Sequence, residues 1–282
     1  MAELISGSAL SSQLIETNLQ PRVEALKAKG VTPKLVVILV GDHAASASYV
    51  RQKEKSADKA GIMAETWRYE DTVSEDEILA EIEKINQDAL IHGVIVQLPL
   101  PDHISIQKVL RAIHPSKDVD GFTPENVGKL FLGEPTLESC TPKGVIRMLE
   151  ESGESLSGKK VVVIGRSNIV GKPVAALALN RSATVTICHS RTQNLNKELE
   201  NADIIIVAVG IPDFLKGSQI PEGATVIDVG IHRTDEGKLC GDVEFESAEK
   251  VAGKISPVPG GVGPMTVYSL IENTVEAAEQ SV

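Results

Sequence analysis

Short runs of β-branched residues alternate with stretches of helical periodicity along the chain. The apolar runs lie in KLVVILVG, AETWRYE, GVIVQLPLP, KKVVVIGRS, SATVTICHS, ADIIIVAVG and ATVIDVG. Helical patterns lie between them, for example over residues 46–61, 172–180 and 195–201. Continuous apolar strands that alternate with helices are typical of parallel sheets covered on both faces. The pattern therefore predicts an α/β fold.

The alternation of strands and helices is interrupted in a proline- and glycine-bearing stretch from His114 to Pro142, which we interpret as a linker carrying functional residues. A length of 282 residues also favours two domains. We expect a three-layer α/β domain over 1–139 and a Rossmann-type domain with a parallel sheet over 140–265. The helical tail at 266–282 has no strand after it, and we expect it to complete the first domain.

Composition and charge narrow the classes of function. Apolar residues make up 42% of the chain and charged residues 24%, as in ordinary globular proteins. The net charge of −11 and the scattered basic residues argue against nucleic acid as a partner. The longest apolar runs are far shorter than the roughly 20 residues that span a bilayer. No secretion signal is recognisable at the start, so we expect a cytoplasmic protein without a membrane partner.

The three cysteines are an odd number and lie far apart. Cys140, Cys188 and Cys240 have no CxxC spacing. This pattern argues against a disulfide framework and against a structural zinc site. We therefore expect reduced cysteines and no bound metal.

The segment VVVIGRSNIVGKPV predicts a strand, a glycine turn and the start of a helix. This arrangement directs backbone N–H groups and a helix dipole toward a phosphate group. Gly165 and Gly171 are separated by Arg166 and Ser167 among others, so the standard GxGxxG spacing is not met. The alternative is a tight turn of the kind found in any α/β domain.

The end of the next predicted strand bears on the choice of dinucleotide. NAD sites usually place an acidic residue there to bind the ribose 2′-hydroxyl. This chain has His189, Ser190 and Arg191 instead. Together with Arg166, a hydroxyl and a guanidinium suit a 2′-phosphate, which favours NADP over NAD. The alternative is that both arginines are solvated surface residues.

The helical pattern over 46–61 contains a lysine on its apolar side. At about 100° per residue, Lys53 falls within the stripe formed by Tyr49, Val50, Ala57 and Ala60. A lysine that faces a core or cleft loses hydration, so its charged form is disfavoured and it becomes available for proton transfer. The alternative is a side chain that extends past the edge of the stripe to water.

Three other segments are candidates for a ligand site. Gln97 ends a predicted strand, and ligands of open α/β sheets bind beyond the carboxyl ends of strands. KDVDGF places Asp118 and Asp120 in a loop, where either carboxylate could hold a donor-rich ring or simply belong to a turn. PVPGGVGP, residues 257–264, suits a loop that closes on a ligand, although a plain connector would also fit.

Taken together, these segments resemble the bifunctional methylenetetrahydrofolate dehydrogenase/cyclohydrolase family over essentially the whole chain. The resemblance depends on SYVRQKEK, VIVQLPLP, KDVDGFTPENVG, CTPKG, IGRSNIVGKP, IIVAVG, VIDVGI, GDV and PVPGGVGPMT, in the family's order and spacing. It implies that NADP takes a hydride from the one-carbon bridge of 5,10-methylenetetrahydrofolate. Water then opens the methenyl product to 10-formyltetrahydrofolate. It also implies a homodimer.

The resemblance further implies roles for individual residues. Lys53 matches the catalytic lysine, Gln97 its hydrogen-bond partner, Tyr49 the residue that stacks on the folate, and Asp120 the carboxylate that holds the pterin ring. The remaining positions implied in folate binding are Val96, Leu98, Pro259, Gly260, Gly261, Val262 and Gly263. Those implied in NADP binding are Gly165, Arg166, Ser167, Ser190, Arg191 and Ile231.

Two other interpretations compete with this one. A different two-domain NADP-dependent dehydrogenase, of the shikimate or amino-acid type, would share the α/β layout without the folate loop. A non-catalytic dinucleotide-sensing module would share the glycine turn but would have no use for a desolvated lysine.

Overall fold

The computed structural model describes residues 1–41, 44–234 and 236–282, and for residues 44–49 the backbone alone. The chain forms two compact units. The first unit comprises Ser12–Cys140 and Val267–Val282, and the second comprises Met1–Ser11 and Thr141–Thr266. The C-terminal segment thus groups with the first half of the chain. The first eleven residues group with the second half, which the predicted range 1–139 does not anticipate.

The strands and helices follow one another in the predicted alternation. The strands are β1 (Glu3–Leu4), β2 (Lys34–Val40), β3 (Met63–Tyr69), β4 (Gly93–Val96), β5 (Lys160–Ile164), β6 (Thr184–Cys188), β7 (Ile204–Val207), β8 (Thr225–Asp228), β9 (His232–Arg233), β10 (Leu239–Cys240) and β11 (Lys254–Ile255). The α-helices are α1 (Gly7–Leu14), α2 (Gln20–Ala28), α3 (Ala44–Ala60), α4 (Glu75–Gln87), α5 (Ile106–Ala112), α6 (Pro124–Leu132), α7 (Cys140–Glu151), α8 (Gly171–Asn180), α9 (Leu195–Leu199), α10 (Phe245–Ala248) and α11 (Val262–Glu279).

The first unit contains a parallel three-stranded sheet in the order β3-β2-β4. Residues 35–40 of the central strand β2 are buried on both faces, which explains the unbroken apolar run in its sequence. Helix α4 packs on one face through Ile78, Ile82 and Ile85, spaced four and three residues apart. Ser74 and Glu77 form a capping box that fixes where this helix begins.

The stretch from His114 to Pro142 contains the boundary between the two units, which falls after Cys140. Residues 114–140 belong to the first unit and fold into defined elements, so they do not form a linker. The stretch contains a short 3-10 turn, helix α6 and the start of α7. Pro124 lies in the first turn of α6, where its missing N–H is not needed, and Thr123 caps that turn. Gly133 ends the helix in the left-handed conformation. The proline and the glycine therefore delimit a helix instead of marking a flexible segment.

The second unit contains a parallel six-stranded sheet in the order β1-β11-β8-β7-β5-β6. The chain passes from β5 outward to β6 and then returns to the other side of β5 at β7. This reversal is the topological switch point at which open α/β sheets bind nucleotides, beyond the carboxyl ends of the strands. The sequence did not predict β1 and β11, because two residues are too few to show a strand pattern.

Helix α11 begins earlier than the sequence suggests. The predicted loop extends to Pro264 and the predicted helical tail begins only after it, whereas α11 starts at Val262. Pro264 lies in the first turn, where a proline costs no intrahelical hydrogen bond. None of the described helices combines the length and the apolar character needed to cross a bilayer.

Candidate active site

Gln97 directly follows β4 at the carboxyl edge of the three-stranded sheet. Its backbone N–H donates to the carbonyl of Ile38 at 2.9 Å, continuing the strand pairing by one residue. Its side-chain nitrogen donates to the carbonyl of Leu98 at 2.8 Å. This bond leaves Oε1 as an acceptor, and the Nζ of Lys53 donates to it at 3.0 Å. The structure thus brings Lys53 and Gln97 together.

Lys53 lies on the side of α3 that the periodicity predicts. Val50, Ala57 and Ala60 are buried, and Lys53 is half-buried among them. The charged residues on the other side are exposed; they are Arg51, Lys55, Asp58 and Lys59. The side chain of Tyr49 lies outside the described residues, so its stacking role stays a prediction.

The two carboxylates of KDVDGF differ in what they contact. Asp118 is buried and accepts hydrogen bonds from the backbone N–H groups of Phe122 and Thr123 and from the side chain of Asn126. These hydrogen bonds hold the loop in its conformation, so the Asp118 carboxylate has a structural role. Asp120 is half-buried, and it is the carboxylate of the pair that stays available for a ligand.

Asp120 has an electrostatic connection to Lys53. Burial raises the pKa of the Asp120 carboxyl above its ordinary value. The positive charge of Lys53 and a hydrogen bond with the Cys140 thiol act in the opposite direction, whereas the charge of Asp118 adds to the increase in pKa. The site therefore combines an amine, an amide acceptor and a carboxyl group with a raised pKa, a set of groups that can hold and transfer protons.

The loop bearing Asp120 is fixed by close contacts that the sequence did not suggest. Gly121 has a φ of +70°, and a Cβ there would lie 2.6 Å from the backbone nitrogen of Ser139. The hydroxyl of Ser139 donates to the Gly121 carbonyl at 3.0 Å. From α11, the Asn273 amide donates to the Val119 carbonyl at 2.8 Å. Because Asn273 is more than 150 residues away in sequence, no local pattern could have assigned it this role.

The other predicted folate-binding residues occupy different settings. Val96 is 4% exposed and packs in the core, so only its backbone can reach a ligand. Leu98 is half-buried. The loop residues belong to the second unit, where the N–H of Ser8 donates to the carbonyl of Gly260 at 2.9 Å. In that loop Gly261 and Val262 are buried, Gly260 is half-buried, and Pro259 and Gly263 are exposed.

The predicted nucleotide turn lies at the carboxyl end of β5, beside the switch point. A Cβ at Gly165 would overlap the carbonyl oxygen of Ala208, which follows β7, and its φ is +128°. Only glycine allows this close approach. The hydroxyl of Ser167 accepts hydrogen bonds from the N–H groups of Val170 and Gly171 at 3.1 and 3.3 Å, and so caps the start of α8.

The residues predicted to bind the 2′-phosphate lie near this turn, at the end of β6. The backbone N–H of His189 donates to the Thr192 hydroxyl at 2.8 Å, and that of Arg191 donates to the His189 ring at 3.1 Å. This tight turn presents Ser190 and Arg191 to solvent. Arg166 is also exposed, and within the described part of the chain neither guanidinium has a hydrogen-bond or ion-pair partner. Both are therefore available to an anionic ligand, which fits a dinucleotide phosphate.

Two buried carboxylates in the second unit, Asp228 and Asp242, received no role from the sequence. They lie in the quoted segments VIDVGI and GDV, and an aspartate inside an apolar run was the available signal.

Taken together, the switch point, the glycine turn and the Lys53–Gln97–Asp120 cluster define a dinucleotide-dependent α/β enzyme of two compact units. The comparisons with known proteins identify the family. The catalytic-domain model of tetrahydrofolate dehydrogenase/cyclohydrolase matches residues 5–120, and the NAD(P)-binding-domain model of the same family matches residues 139–282. The chain belongs to the tetrahydrofolate dehydrogenase/cyclohydrolase family.

Individual relatives agree with this assignment. The chain is 53% identical over 280 residues to the bifunctional protein FolD of Bacillus subtilis, covering 99% of both chains. The crystal structure of the bifunctional FolD of Campylobacter jejuni is similar with a TM-score of 0.97 and 45% identity, over 100% of both chains. That of the Trypanosoma brucei enzyme, complexed with NADP and an inhibitor, has a TM-score of 0.92 and 38% identity, covering 99% of this chain and 98% of that one.

These findings confirm the predicted function. The chain is an NADP-dependent bifunctional dehydrogenase and cyclohydrolase of folate one-carbon metabolism. They do not support the alternative two-domain dehydrogenases or the non-catalytic sensing module.

Proposed function

We propose that Lys53, Gln97 and Asp120 carry the proton transfers by which this chain converts 5,10-methylenetetrahydrofolate, through the methenyl form, to 10-formyltetrahydrofolate. The observation that carries this proposal is the 3.0 Å hydrogen bond from the Lys53 Nζ to the Gln97 Oε1. NADP, when bound, supplies the acceptor for the hydride that leaves the one-carbon bridge. The chain's own residues then have to activate water and manage protons.

In the hydrolytic step Lys53, in its unprotonated form, accepts a proton from the water whose oxygen bonds to the bridging carbon. It donates that proton to the ring nitrogen as the bond between this nitrogen and the carbon breaks. The remaining hydroxyl proton passes to solvent as the formyl C=O forms. Gln97 orients the amine for both transfers, because its amide is itself fixed by Leu98.

Asp120 is proposed to hold the pterin ring by accepting its N–H donors. Asp118 is already occupied by hydrogen bonds from the loop backbone. Tyr49 is proposed to stack on the folate, and the loop at 259–263 to close on it. The range 1–139 with 266–282 is accordingly proposed as the folate-binding part, and 140–265 as the NADP-binding part.

On the cofactor side, Ser190, Arg191 and Arg166 are proposed to bind the 2′-phosphate, with Gly165 and Ser167 beside the pyrophosphate and Ile231 against the dinucleotide. The close approach at Gly165 fits such a ligand, as do the two guanidinium groups, which have no partner among the residues that the structure describes.

The test compares two lysines of the same helix. Lys53→Met should lower cyclohydrolase activity by about 10²- to 10⁴-fold, the usual contribution of a positioned acid-base group. Lys55→Met, on the exposed side of α3, should leave the activity unchanged. Hydrolysis of methenyltetrahydrofolate is followed by its absorbance. Wild-type activity in the Lys53 variant would refute the proton-transfer role.

We also propose that the enzyme is a homodimer in the cytoplasm and that nucleic acid is not a partner. β6 ends the six-stranded sheet, and Ile187 on this edge strand is 41% exposed, which suits pairing with a second copy. The three free cysteines are compatible with a reducing compartment. The net charge of −11 disfavours a polyanionic partner.

A further inference from the structure

Asp242 fixes the loop that follows β7. It is fully buried, and its Oδ2 accepts hydrogen bonds from the N–H groups of Val209 at 2.7 Å and Gly210 at 3.0 Å. Its Oδ1 accepts one from Ile211 at 3.0 Å. Three consecutive N–H groups therefore turn toward one carboxylate about 30 residues away in sequence. A side chain, and not the local sequence, sets the conformation of this loop.

Asp228, the last residue of β8, extends the same network. Its carboxylate accepts hydrogen bonds from the N–H groups of Gly230, Asp242 and Val243, each at 2.9 Å. The two carboxylates are thus joined through the backbone of Asp242. The network ties the loops that follow β7 and β8, which are adjacent strands, to one another at the carboxyl edge of the sheet.

His232 connects this network to a predicted cofactor contact. Its Nε2 lies 2.7 Å from the Oδ1 of Asp242. Ile231 stands between Gly230, which is bonded to Asp228, and His232, which is bonded to Asp242. The Ile231 side chain is about half exposed although both its neighbours are held. Its position therefore depends on the two carboxylates.

Burying two carboxylates, Asp228 and Asp242, so close together costs free energy, and the packing of the sheet does not require either of them. Removing carboxylates from water is unfavourable unless hydrogen bonds compensate. Here backbone N–H groups compensate by donating hydrogen bonds to both carboxylates. The same hydrogen bonds hold two loops beside the switch point in place. Rigid placement of loops is most useful where a reacting group must be held to within a fraction of an ångström.

We propose that Asp242 is a positioning residue for the dehydrogenase reaction, holding Val209–Ile211 directly and Ile231 through His232 so that both loops receive the nicotinamide end of the cofactor. This inference rests on the proposed function, in which Ile231 contacts the dinucleotide. It assigns Asp242 no contact with substrate or cofactor.

The first test replaces His232, the least buried of the three side chains that form the network. The His232 side chain is 19% exposed, so His232→Ala leaves both buried carboxylates and their backbone bonds in place. We expect the dehydrogenase kcat to fall about tenfold and the Kd for NADP, measured by calorimetry, to rise. Cyclohydrolase activity on methenyltetrahydrofolate without NADP should stay within about twofold, because the second unit's network does not include Lys53. His232→Gln, which keeps an N–H donor, should restore most of the kcat.

Asp242→Asn provides the stronger perturbation, and Asp203→Asn is its matched control. Asp203 also accepts a backbone N–H, from Lys160 at 2.8 Å, but at the amino end of the same sheet. Hydrogen exchange at Val209–Ile211 should accelerate in the Asp242 variant and not in the Asp203 variant.

Either of two results would overturn the inference: an unchanged dehydrogenase kcat in His232→Ala, or an equal loss of both activities that glutamine does not restore. A wild-type enzyme that fails to reduce NADP with methylenetetrahydrofolate would instead overturn the proposed function, and this inference with it.

Discussion

Replacing Gly121 by alanine tests whether the loop next to Asp120 must keep its observed path. The new Cβ would lie 2.6 Å from the Ser139 nitrogen, 2.7 Å from the Glu138 carbonyl carbon and 2.8 Å from the Leu137 oxygen. Ordinary contact begins at 3.4 Å, so the two chain segments must separate by about 0.8 Å. All three neighbours are backbone atoms, which cannot rotate away as a side chain can.

Two costs add in this variant. The φ of +70° disfavours alanine by about 1–2 kcal/mol, and the overpacking adds about 1–3 kcal/mol. The displaced loop carries Asp120, so we expect cyclohydrolase kcat/KM to fall by roughly 10- to 100-fold. Urea denaturation measures the loss of stability, and the absorbance of methenyltetrahydrofolate measures the loss of cyclohydrolase activity.

Gly30→Ala separates the steric cost from the conformational one. Gly30 has a φ of +83° but nothing within 4 Å of its would-be Cβ. This variant should lose only the cost of about 1–2 kcal/mol for the left-handed backbone and keep full activity. If Gly121→Ala were no less stable than Gly30→Ala and equally active, the argument that this close contact positions Asp120 would be wrong.

The remaining predictions concern pH and cofactor choice. Burial raises the pKa of Asp228 from 3.8 to about 6, against three backbone hydrogen bonds. An acid whose pKa is raised by folding stabilises the fold below the unfolded pKa and loses that contribution as pH rises through about 6. The free energy of unfolding of the wild type, relative to Asp228→Asn, should therefore fall by about 2 kcal/mol between pH 4 and 6. A difference independent of pH would contradict this. Replacing Ser190 and Arg191 by alanine should weaken NADP binding by roughly 10- to 100-fold and NAD binding much less, as calorimetry would measure. An equal loss for both cofactors would exclude their role at the 2′-phosphate.

The candidate site was only partly predictable from the sequence. Lys53 was found because helical periodicity is a local property, and its stripe includes Val50 and Ala57 whatever the helix packs against. The local pattern of KDVDGF, in contrast, did not distinguish its two carboxylates, and only the resemblance to the family favoured Asp120. The contacts of Asp118 with Thr123 and Asn126, which depend on how the loop closes, support that choice.

The sequence by itself determined the alternation of strands and helices, the glycine turn at Gly165 and the inward side of α3. Each of these follows from neighbouring residues, because side-chain direction repeats every 2 or 3.6 positions in a strand or helix. The tertiary structure alone decided that residues 114–140 are folded into the first unit and that β1 pairs with β11. It alone joined Asp242 to Val209 and Asn273 to Val119. Such contacts depend on segments distant in the chain, and a local pattern of apolar and polar positions carries no information about which distant groups will satisfy a buried polar atom.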